Sequence, residues 1–212
     1  MAYATYGDVN TMTNITSSDV ANADVTSLIA EATIILNPLI NVRVTREPVL
    51  YIDSTRKNKI DGSNTTYYVK NWRGKYLADM ENDGDVDTSD VIVYLVASDG
   101  TESTTTVSAI DSDDCKITLT TAPSSGYKMY ITYEWCWRDP STPDGLIKLA
   151  CVYFTAALCY AKINVGRAPQ VSFGNFRVYR HIESYDKYFK MAMKVVNDIN
   201  NKQIDYGEAE QS

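Results

Sequence analysis

Five polar turn sequences, "DGSN", "NDGD", "SDG", "DSDD" and "PSSG", recur between residues 61 and 126. No other feature narrows the fold as far. Asp, Asn, Ser and Gly in such clusters either accept hydrogen bonds from the neighbouring backbone or tolerate positive φ, so each cluster reverses the chain. Between and around them lie "PVLYID", "TTYYVKNW", "DVIVYLVA", "STTTVSAI", "CKITLTT" and "KMYITYEWCW", runs rich in β-branched and aromatic residues that suit a pleated, half-buried surface. The last run alternates: Met129, Ile131, Tyr133, Trp135 and Trp137 fall on one face, with Tyr130, Thr132, Glu134 and Cys136 on the other. From about Arg46 to Trp137 the expectation is therefore an antiparallel sandwich or small barrel.

The two ends of the chain have a different period. Thr5 and Asp8 make a capping box for a short helix reaching Met12. Asn22 is a good N-cap for a second helix, whose Val25, Leu28, Ile29, Ala32 and Leu36 follow helical spacing and which Pro38 ends or kinks near Asn37. After residue 140 the pattern is helical again. Leu146 to Ile163 is apolar nearly all round and so needs cover on both faces. "NVGRAPQVSFGNFRVYR" reads as a linker, and a last amphipathic helix runs from about Ile182 to Ile199. The fold class expected is α+β: a small helical bundle built by both chain ends, residues 1–45 and 140–202, with an inserted β domain over 46–139 and a mobile acidic tail over 203–212.

Chemistry of several kinds is disfavoured. A net charge of −7 argues against a broad nucleic-acid-binding face. No G-x-G-x-x-G, G-x-x-x-x-G-K, H-E-x-x-H or G-x-S-x-G pattern occurs, and the single histidine, His181, has no nucleophile motif beside it, so an enzyme is not expected. The four cysteines form no C-x-x-C pair and read as reduced, buried residues. The opening lacks a basic and an apolar leader region, and the apolar run Leu149 to Ala161 is too short to cross a bilayer; neither a secretory leader nor a membrane partner is expected. Trp72, Tyr76, Tyr133, Trp135 and Trp137 could form a sugar platform, but such residues more often build a sheet core.

The acidic stretch from Asp79 to Asp90 follows the D-x-[DN]-x-[DN]-G calcium-loop pattern. Asp79, Glu81 and Asp83 take its first, third and fifth places and Gly84 the sharp turn. Asp85, Asp87 and Asp90 take the seventh, ninth and twelfth. Calcium requires a ring of six to eight hard oxygens from a chain that can curl round the ion. The candidate metal ligands are thus Asp79, Glu81, Asp83, Asp85, Asp87 and Asp90, holding calcium as a local staple. Glu81 is longer than the pattern's usual residue and Asp90 shorter, and a strand follows where a helix–loop–helix hand has a helix; the competing reading is a solvated acidic turn.

With this layout established, the N-terminal run resembles the opening of tailed-phage head–tail connector (adaptor) proteins. The residues that carry the likeness are Tyr6, Asp8, Val9, Ser18, Asp19, Val25, Leu28, Ile29 and Ala32. "LIKLACVYFTAALCYAKI", "SFGNFRVYR" and the final amphipathic helix are similar to the family's closing segments, so about 100 residues at the two ends are covered; the large β insertion departs from the minimal all-helical member. The resemblance implies a non-enzymatic virion protein of the neck, made in the host cytoplasm. Copies would form a ring of twelve beneath the portal and would contact portal and a neck or tail-completion protein, with DNA passing through unbound. The reading that competes with it is a calcium-stapled β module that binds sugar or another ligand on a helical adaptor.

Overall fold

The computed structural model describes residues 2–50, 58–70, 75–140, 144–164, 170–173, 176–179 and 183–209. The chain has a mixed α+β fold, in which N- and C-terminal helices flank an antiparallel sheet region. It divides into two compact units, one made of Asn41–Asp144 and the other of Ala2–Ile40 with Gly145–Ser212.

In the helical unit, α1 (Tyr6–Thr13) starts from the capping box, with the Asp8 N–H donating to Thr5 Oγ1 and the Thr5 N–H donating to the Asp8 carboxylate. Asn14 closes it at φ 58°, a left-handed conformation that Asn tolerates better than most residues. α2 (Asn22–Ile40) buries Val25, Ile29, Ala32, Leu36 and Ile40. It runs past Pro38, contrary to the expected end near Asn37. The proline removes the bond to the Ile34 carbonyl, but Ile34 is exposed and water can take the place of the lost donor. The Asn200 amide donates to the Leu39 carbonyl and satisfies one of the helix's terminal acceptors.

α3 (Gly145–Asn164) lies at the centre of this unit and packs against α1, α2 and α4 (Glu183–Ala209). Ile147, Ala150, Cys151, Phe154 and Cys159 are buried there with Ala192, Val196 and Ile199 of α4. Leu146, Leu149, Tyr153, Leu158, Tyr160 and Ile163, on the rest of its circumference, are only partly buried against the same cluster. Phe154 meets Phe189 edge-on and Tyr160 stacks on Tyr188, so aromatic pairs line the α3–α4 seam. α4 continues through Ala209, past the expected helix end near Ile199 and the expected domain boundary at 202, since extending a formed helix costs far less than nucleating one. The segment expected to be a plain linker contains two paired strands, β9 (Gln170–Phe173) and β10 (Phe176–Tyr179). By length and composition, Asn22–Ile40 and Gly145–Ile163 are each apolar enough to cross a membrane. Both contribute to the unit's core, and a core helix of a globular protein has the same composition.

In the β unit, β8 (Lys128–Cys136) is the axis of the larger sheet. β1 (Val42–Pro48) lines one edge of it. β3 (Tyr76–Ala78) and β4 (Val91–Val96) line the other, and β5 (Glu102–Thr105) extends the sheet from β4. A second sheet has the order β2 (Thr66–Tyr68), β7 (Lys116–Leu119), β6 (Val107–Asp111). All pairs are antiparallel. The two sheets share one hydrophobic cluster, in which Tyr67, Ile117 and Leu119 meet Val93, Ile131, Tyr133 and Trp135. The expected sandwich or barrel is not seen among the described residues. The second sheet's strands are too short to form a full facing layer, and β1 and β5 remain the outer strands of the larger sheet, so nothing closes.

Candidate functional site

The register of β8 explains where the acidic stretch sits. Ala78 of β3 pairs with Glu134, and Val91 of β4 pairs with the adjacent Tyr133. β3 and β4 are therefore two halves of one edge, interrupted by the excursion Asp79–Asp90. The chain leaves the sheet at one register position and returns at the next. Such a loop must satisfy its own backbone, because its ends are already committed to the ladder.

Its carboxylates do this. Asp90 is buried, 2% exposed, and its Oδ1 accepts the Met80 N–H at 2.5 Å and the Glu81 N–H at 3.1 Å. Its Oδ2 accepts the Asp87 N–H at 2.8 Å. Asp79, equally buried, accepts the Asp83 N–H at 3.2 Å and the Gly84 N–H at 2.8 Å. Further out, Asp83 accepts the Asp85 N–H, and Asp87 accepts both the N–H and the hydroxyl of Ser89 at the start of a 3-10 turn, Thr88–Asp90. Asn82 at φ 59° and Gly84 at φ 90° supply the left-handed turns that let the chain double back. Outside the loop, the Asn41 amide donates to the Asp79 carbonyl and to Glu134 Oε2, both at 3.3 Å, tying the excursion's base to β8.

The electrostatics separate base from rim. Burial pushes the Asp90 carboxyl up to about 6, outweighing its three N–H donors, and the nearby Asp79 charge adds to the rise. Asp87 moves the other way, held below the usual carboxylate range by its bonds from the Ser89 hydroxyl and N–H. Of the six candidate ligands, Asp79 and Asp90 are brought together at the base, whereas Glu81, Asp83, Asp85 and Asp87 face solvent along the rim. Among the described residues no group of three or more His, Cys, Asp or Glu side chains converges to hold a metal ion.

The remaining candidates have structural surroundings. Tyr133 and Trp135 belong to the β core, and Trp137 packs edge-on against Trp135 at 5.3 Å. The Lys75 ammonium sits 4.6 Å from both tryptophan ring centroids, a cation–π position that alternation along β8 alone does not reveal. Arg46, at φ 55° in a bulge of β1, lies over Tyr94 and Tyr130 and pairs with Glu102. Sequence spacing gave no sign of this cluster, because its members come from four strands. All four cysteines are free and buried. Burial pushes the thiols of Cys115 and Cys136 up to about 12, and those of Cys151 and Cys159 up to about 11, which leaves them poor nucleophiles. His181 and Trp72 lie outside the described residues. No protein-family model and no curated protein matches the chain.

Proposed function

We propose that the chain is a non-enzymatic head–tail connector, a ring component that sits beneath a portal and lets DNA pass. The observation that carries the reading is the union of both chain ends in one helical unit, the layout that the resemblance implies. The residues of the likeness have defined places in it. Asp8 completes the first capping box and lies 3.5 Å from Lys148 of α3, while Val9, Val25, Ile29 and Ala32 are buried against the central helix. On this reading the copies number twelve, matching the portal, and portal and a neck or tail-completion protein are the partners. The setting is the virion neck after assembly in the host cytoplasm. The acidic rim of the β unit suits a DNA conduit, since like charge keeps the passing duplex from binding. Electron microscopy of the chain with and without portal tests the reading. Rings that appear or become stable with portal support it, and a chain that neither forms rings nor binds portal overturns it.

A second reading, a calcium-stapled β module that binds sugar or another ligand, draws on the pairing of Asp79 with Asp90. Two buried carboxylates near one another are a charge that a divalent ion would relieve. To bind calcium, both would exchange backbone N–H donors for the ion, and Glu81, Asp83, Asp85 and Asp87 would turn inward. Calorimetry with calcium on the chain and on its Asp83→Ala and Asp87→Ala variants tests this; heat lost in both variants supports the staple, and no heat from the parent chain removes it. Quenching of tryptophan fluorescence by sugars would be the sign of a ligand module.

A further inference from the structure

We draw no further inference here: the strongest candidate, the apolar surface patch that Ile34 and Ile35 form on the outer side of α2, carries nothing because nothing in the structure shows what covers it.

Discussion

Replacing Asp90 probes what holds the acidic excursion in place. Its carboxylate serves three backbone N–H groups, of Met80, Glu81 and Asp87. In Asp90→Ala all three lose their acceptor. Glu81 and Asp87 are exposed, so water can partly replace the lost bonds, but Met80 is buried and its N–H is stranded. With about 1–3 kcal/mol for a stranded buried donor and less for the other two, the β unit should lose about 2–4 kcal/mol. Asp90→Asn keeps an oxygen for Met80 and Glu81 but turns its amide toward the Asp87 N–H, so it should lose only about 1–2 kcal/mol. Urea unfolding followed by tryptophan fluorescence isolates the effect, since Trp72, Trp135 and Trp137 all fall between Asn41 and Asp144. If Asp90→Ala unfolds at the parent's urea midpoint, or the two variants are equally destabilised, the carboxylate is not the loop's anchor.

The same residue sets a pH dependence. Its folded pKa of about 6 lies above the ordinary 3.8, so the folded state holds the proton more tightly and stability falls as pH rises between those values, by no more than about 3 kcal/mol. Asp90→Asn should flatten that slope in urea titrations at about pH 4 and pH 6.5, leaving what Glu134, also raised by burial, contributes. Thr5→Ala removes the acceptor of the Asp8 N–H and the hydroxyl bond that does most to hold the Asp8 carboxyl low, while the backbone N–H of residue 5 and Lys148 still favour the charged form. The helical unit should lose about 1 kcal/mol above the carboxylate range and progressively less as acid protonates Asp8, and thermal melts by far-UV circular dichroism check it. Phe154→Ala empties the α3–α4 seam and should cost about 3–5 kcal/mol in the same melts, and a loss below about 1 kcal/mol would mean that α4 is not packed as described.

Much of the local structure was legible because its causes are local. The Thr5–Asp8 capping box, the buried stripe from Val25 to Leu36 and the alternation from Met129 to Trp135 each follow from spacing within one segment. The misses are of another kind. β3 is three residues long and carries no periodicity of its own; it is a strand because β8 offers it an edge. β9 and β10 looked like linker because two glycines and a proline interrupt a short segment of mixed polarity, yet Phe173 and Phe176 are register partners. α2 passes Pro38 because the missing bond falls on the exposed face of a packed helix, at the Ile34 carbonyl, where water can replace it.

For the candidate site, spacing alone identified the Asp79–Asp90 run but could not assign its carboxylates. Tertiary structure made that assignment, burying Asp79 and Asp90 as acceptors and leaving Glu81, Asp83, Asp85 and Asp87 at the rim. The cause is a pairing distant in sequence: Glu134 and Tyr133 hold the chain on either side of the excursion, so its first and last carboxylates are drawn into the protein. Periodicity and capping act over one helical turn or one strand and can be read from neighbouring residues. Burial of a charge depends on what the rest of the chain places around it, and that is decided only when the strands have paired.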